Sequence, residues 1–360
     1  MRWYKTIDFY ISKKYLGTFF YAISLILGIA IIFDISENLD DFISKEIPTS
    51  VIIFDYYLNF IPYFGNLFAP LFTFIAVIYF TSKMAYNTEI IAILSSGVSY
   101  SRLLRPYMVS ALIITMISFM LGNFIIPPAN SEMIEFRDKY INKRTTISSL
   151  RDIHRQIEPG VYIYMQSFNS NNIGYRFTLE HFEGAKLVEK LTAQNIRWEE
   201  KSKTWIINSY WKRTIHDDYE EIEKGYRMDT ALNMTPKDFI VSKNEMETYK
   251  TPDLIREISD MKMRGVNTVE WEIEKHKRLA NPFSTFILTI IGMSLASRKI
   301  KGGLGFHLGL GLALAFSYIL FMQISTVFAI NGSTPPIIAV WIPNLAYAVI
   351  AFFLYRWAAR

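Results

Sequence analysis

Cysteine is missing from all 360 residues. Its absence excludes disulfide staples, lipid-modified cysteine and thiolate metal sites. A GxxxxGK[ST] loop is absent too; Gly302-Gly303-Leu304-Gly305 lacks the lysine a phosphate cradle requires, so ATP hydrolysis is not expected of this chain itself. The five histidines, His154, His181, His216, His276 and His307, form neither HExxH nor another close ligand spacing. His216-Asp217-Asp218 reads as a solvated turn, and Ser99, Ser101 and Ser294 sit near glycines without a GxSxG elbow. No catalytic residue, metal or cofactor is expected.

What the chain has instead is apolar length. Six runs, Leu16–Phe33, Leu58–Phe80, Leu103–Ile126, Leu279–Ala296, Leu304–Ile330 and Ile337–Tyr355, approach or exceed the roughly 20 residues that cross a bilayer core. They lack the paired charges that proton- or ion-coupled pumps place at mid-depth, and Asp55 falls near an interface. Energy for any transport is therefore expected from a partner. The first run is preceded by lysines like a secretory signal, yet it is long, lacks a small-x-small cleavage site and reads as a retained anchor.

Flanking charge predicts orientation, because Lys and Arg near span ends stay on the cytoplasmic side. Arg2, Lys5, Lys13, Lys14, Lys83, Arg102, Arg105, Arg298, Lys299, Lys301, Arg356 and Arg360 flank one side against only Asp8 and Glu89. The expected loop after the first run carries Asp34, Glu37, Asp40, Asp41 and Glu46 against Lys45. Both termini are expected in the cytoplasm and the long polar insert outside. From Pro127 to Asn281 there are 25 basic and 25 acidic residues, so the net charge of +5 belongs to the membrane face and implies no nucleic acid.

Inside the insert, Pro127-Pro128 predicts the end of the third span, followed by a polar helical connector from Ser131 to about Ile147 carrying Arg137, Lys139, Lys143 and Arg144. The period then becomes strand-like. Val161–Phe168, Tyr175–Phe182, Lys186–Trp198, Thr204–Ile215 and Tyr219–Met228 are rich in aromatic and β-branched residues and separated by turn clusters, a pattern expected of a sandwich or open jelly roll. About two-thirds of Tyr162, Tyr164, Phe177 and Trp205 are expected to pack a core, the rest to line a lipid-facing groove. Thr251-Pro252-Asp253 predicts a helix start, and a second helix from about Asn267 leads into the fourth span.

The short link between the second and third spans predicts one more helix. Asn87-Thr88-Glu89 is expected to cap it, Ile90, Ile91, Ile93, Leu94 and Val98 to give it an apolar surface, and Gly97 to end it. Spacing alone fits equally a helix lying in the lipid interface or one docking in the groove of a cytoplasmic motor.

Several segments resemble one family. EIIAILSSGVS at Glu89–Ser99 is similar to a segment of the LptF/LptG permeases, the membrane subunits of the lipopolysaccharide-export ABC transporter. The resemblance continues through IIPPANSEMIEFRDKY, EKHKRLANPF with Glu274, His276, Arg278 and Pro282, RKIKGGLG, Tyr318, and PPIIAVWIPN with Pro335, Pro336, Trp341, Pro343 and Asn344. Leu94 departs from it where the family commonly has arginine, and so does the acidic outer end of the first span, where relatives often carry basic residues.

The resemblance implies an α-helical membrane protein with six transmembrane helices and an inserted periplasmic all-β, jelly-roll-like domain. Its expected division is residues 1–128 for spans one to three with a coupling helix at about 87–99, 129–265 for the connector and β domain, and 266–360 for spans four to six. It further implies a bacterial inner-membrane permease that extracts lipopolysaccharide and passes it to periplasmic jelly-roll bridge proteins. The partners would be a cytoplasmic ATPase dimer and a second related permease. Glu89, Ile90, Ala92, Ile93 and Gly97 would couple to the ATPase, and Arg137, Lys139, Lys143 and Arg144 would meet lipid phosphate. The alternative is a membrane-anchored envelope sensor with a ligand-binding β domain, against which the shortness of the cytoplasmic segments counts.

Overall fold

The computed structural model describes residues 6–141, 150–169, 171–216, 218–239, 245–263, 266–298 and 303–360. Among the described residues, six helices are long and apolar enough to cross a membrane: α1 (Thr6–Ser44), α2 (Thr49–Tyr86), α4 (Tyr100–Ile141), α6 (Val269–Ala296), α7 (Gly303–Ile330) and α8 (Pro336–Ala358). Between α2 and α4 lies the short α3 (Glu89–Ser95), and α5 (Thr251–Met263) precedes α6. Two compact units result: one of residues 1–141, 247–254 and 269–360, the other of residues 142–246 and 255–268.

In the helical unit, α1 runs for 39 residues, about 58 Å at 1.5 Å per residue and well beyond a hydrocarbon core of about 30 Å. The acidic stretch expected as a loop is thus the last turns of a helix. Tertiary contacts hold it there: Asp34 accepts hydrogen bonds from the Tyr56 and Tyr57 hydroxyls at 3.1 and 2.9 Å, and Lys45 donates to the Tyr140 carbonyl. Phe42 and Ile47 are buried with Tyr56, Tyr57, Phe60, Met133 and Phe136.

Pro127-Pro128 does not end the third long helix. A π-helical turn, Leu121–Ile125, precedes the prolines, which then occupy the first turn of the helical segment Ile126–Phe136, where a missing N–H is tolerated. α4 therefore continues to Ile141, and a second π turn, Arg137–Ile141, closes it.

The β unit holds one six-stranded antiparallel sheet in the order β1-β2-β3-β4-β5-β6, with β1 Leu150–Glu158, β2 Val161–Phe168, β3 Ile173–Glu183, β4 Lys186–Glu199, β5 Thr204–Ile215 and β6 Glu220–Thr230. The inserted all-β domain is as expected, but its described strands form a meander of six rather than a set of five. β1 escapes pattern reading because LRDIHRQIE carries few aromatic or β-branched residues; it is an edge strand paired only with β2. Alternation puts Ile163 with Met165, Leu191 with Ala193 and Trp205 with Ile207 into one core, which Phe168, Phe177 and Ile196 complete. Met234 and Phe239, from the segment after β6, cover that face, and the Trp205 indole donates to the Met234 carbonyl at 2.9 Å.

Candidate functional site

At the turn into α3, Thr88 takes a left-handed backbone (φ +61), which is costly for a β-branched residue, and its side chain makes no capping bond. The expected cap is thus replaced by a clamp on Glu89. Tyr10 donates to its carboxylate at 2.9 Å, Lys14 at 3.2 and 3.3 Å, and the Asn87 amide at 3.4 Å. Burial opposes the charge on Glu89, but these hydrogen bonds outweigh it and hold the carboxyl below its ordinary range. α3 is thereby tied to α1. The motif predicts Glu89 as a contact residue, and its observed partners lie within its own chain.

The apolar residues of α3 divide between two faces. Ile90 is 1% exposed, packed among Met84, Ala85, Tyr100 and Leu103, and Ile93 and Leu94 lean on the same cluster. Ile91, 51% exposed, and Ala92 form the outer face. Gly97, at φ +86, turns the chain after the helix, and the Ser99 hydroxyl caps α4 by accepting from the Arg102 amide at 3.3 Å. Arg102 in turn holds Asp8 through two bonds of 2.6 and 2.5 Å. Glu89, Ile90, Ala92, Ile93 and Gly97 are therefore brought together, with Ile90 serving the protein's own core and Ala92 the open surface.

Of the four cations expected to meet lipid, Arg137 and Lys139 are exposed on the last π turn of α4, while Lys143 and Arg144 lie outside the described residues. The Lys139 ammonium sits 4.9 Å from the Tyr140 ring. Arg137 is close enough to act electrostatically on the Tyr56 hydroxyl. Asp34 faces inward to its two tyrosines, whereas Glu37 and Asp40 stay exposed.

Sequence reading missed a cleft of about 470 Å³ at the end of the helical unit opposite α3. Its polar rim includes Tyr63, Asn130, Glu247, Glu274, Lys277 and Arg278, and its wall includes Leu67, Phe68, Ile126, Phe316 and Ile319. Arg278 is buried and bonds Glu274 at 2.9 Å, the Tyr249 carbonyl at 2.7 Å and Thr251 at 3.2 Å. Burial pushes the Glu247 carboxyl up, and neighbouring Glu274 adds to the rise. Arg278 and Glu274 were marked by resemblance. Glu247 has no local pattern that would mark it.

In the β unit, Phe177 and Trp205 are buried while Tyr162 is 42% exposed and Tyr164, half-buried, lies tilted against His154 with ring centroids 4.6 Å apart. These last residues border an open hollow of about 1110 Å³ together with Phe182, Glu180 and Lys190. The four aromatics thus split evenly between core and surface.

Residues 9–357 match the family described as lipopolysaccharide export system permease LptF/LptG. No curated protein sequence matches the chain significantly.

Proposed function

The chain belongs to the LptF/LptG family of lipopolysaccharide export permeases, and we propose that it is the membrane subunit through which a cytoplasmic ATPase dimer drives lipopolysaccharide out of the bacterial inner membrane. The family is a transport component, which favours export over the sensor reading. A second, related permease would complete the pathway, and both termini would be cytoplasmic with the β unit in the periplasm.

The observation that carries this reading is the clamp on Glu89. α3 presents Ile91 and Ala92 outward while Tyr10 and Lys14 fasten it to α1. A push on the open face of α3 reaches α1 directly. That helix exposes Phe20, Tyr21, Leu25, Ile29, Ile32 and Phe33, an apolar stripe suited to acyl chains or to a partner helix. Arg137, Lys139, Lys143 and Arg144 would meet the phosphates of the glycolipid, arginine holding them bidentately. The β unit would pass acyl chains to a periplasmic bridge, shielding methylenes that cost about 0.8 kcal/mol each in water.

Purification from native membranes followed by native mass spectrometry tests the assignment. An ATPase and a phosphorylated glycolipid are expected to co-purify. Recovery of neither, from a preparation that retains other membrane complexes, would overturn it.

A further inference from the structure

The cleft beneath Glu247 joins features that seldom occur together without a ligand. Asn130 is 1% exposed; its amide nitrogen donates to Glu247 at 3.3 Å, and its carbonyl oxygen has no hydrogen-bond partner among the described residues. A buried acceptor left unpaired costs about 1–3 kcal/mol, so a donor is wanted at that point. Lys277, half-buried on the same rim, makes no direct hydrogen bond or salt bridge among the described residues, although its charge is felt by Glu247. Arg278, by contrast, is fully engaged with Glu274, Tyr249 and Thr251. Below the rim the wall is apolar, and Leu67 and Phe316 are 57% and 54% exposed, so it continues onto the exposed apolar surface of the helices.

The rim therefore offers one cation with no direct bond to a carboxylate and, near it, Glu247 beside an orphan carbonyl. An occupant that answers both carries an anion and a hydrogen-bond-donating cation a few atoms apart, above acyl chains. We propose that this cleft binds phosphatidylethanolamine as a resident lipid, its phosphate on Lys277, its primary ammonium on Glu247 and the Asn130 carbonyl, and its chains along Leu67, Phe68, Ile126, Phe316 and Ile319. Phosphatidylcholine has no N–H to give Asn130, and phosphatidylglycerol has no cation for Glu247. At about 470 Å³ the cleft has the size of an ordinary small-molecule site and holds the headgroup with the first part of the chains.

The test uses the full chain in nanodiscs of equal parts phosphatidylethanolamine, phosphatidylcholine and phosphatidylglycerol, with retained lipid read by native mass spectrometry. Wild type should retain phosphatidylethanolamine about tenfold over phosphatidylcholine, the discrimination of one charge-assisted hydrogen bond. Glu247→Gln should lose that preference while still holding phospholipid. Lys277→Met should lose retention of all three lipids, and Lys277→Arg should restore it, which separates loss of binding from loss of folding. Equal retention of ethanolamine and choline lipids by wild type, or an unchanged preference in Glu247→Gln, would overturn the proposal. So would lipopolysaccharide, added to the nanodiscs, replacing phosphatidylethanolamine in a manner that Lys277→Met abolishes.

Discussion

Asp8 and Arg102 lie 94 positions apart and meet in a two-pronged ion pair, with Asp8 only 1% exposed. The pair ties the start of α1 to the start of α4, one helical turn or two from where Lys14 ties α1 to α3. The base of α1 is thus held at two points by charge, while much of its remaining length stays open.

Removing one member of a buried pair leaves the other uncompensated, at about 3–5 kcal/mol. Arg102→Ala, which removes the guanidinium from the buried Asp8, is expected to lower the thermal midpoint of the detergent-purified protein strongly, and Asp8→Ala less, because the Arg102 side chain is 23% exposed. The double variant should cost less than the sum of the two. Strict additivity in that cycle would mean that the two side chains do not interact.

The Glu89 clamp predicts a pH dependence. Its carboxyl is held below the ordinary range when folded, so its contribution is present above the unfolded value and is lost as pH falls through the lower, folded one. A spin label at the exposed Ser95 should therefore stay immobile through the usual carboxylate range and loosen only below it. In Glu89→Gln the label should be mobile already at neutral pH, with no acid transition; an acid transition in that variant would assign it to another group.

Gly160 turns the chain between β1 and β2 at φ +80, and a Cβ there would lie 2.5 Å from the Phe182 carbonyl oxygen. Gly160→Ala should destabilise the β unit by more than about 1 kcal/mol, because both the backbone angle and the contact with main-chain oxygen resist relief. Hydrogen exchange should quicken in β1 and β2. Unchanged protection there would contradict the geometry.

Because the chain has no cysteine, single cysteines report topology directly. Ser202 and Ser96 are both exposed, so access depends on the side of the membrane. An impermeant thiol reagent should label Ser202→Cys in intact spheroplasts and spare Ser96→Cys until the membrane is opened. Equal labelling would refute the orientation.

Much of this was legible in sequence, for identifiable reasons. β2 and β5 begin and end where the runs of aromatic and β-branched residues do, at Val161–Phe168 and Thr204–Ile215, because such side chains favour the pleated strand. α3 was legible from its apolar run and Gly97. Long-range contacts were not: Glu89 finds Lys14 and Tyr10 75 and 79 positions away, and no local pattern encodes that. Such pairing also carried α1 through its acidic end, where Tyr56 and Tyr57 hold Asp34. The cleft is built from α2, α4, α6, α7 and the short turn at Glu247, so only the fold assembles it.

The exposure of α3 sets the most direct test of coupling. Ile93→Asp would damage the core on which Ile93 leans, whereas Ile91 stands outside it and can be changed without that cost. An aspartate buried unpaired against a motor's groove costs several kcal/mol. Ile91→Asp is therefore expected to insert and melt like the wild type yet lose co-purification of the ATPase and lipopolysaccharide export. Full ATPase recovery together with undiminished export by that variant would contradict the account.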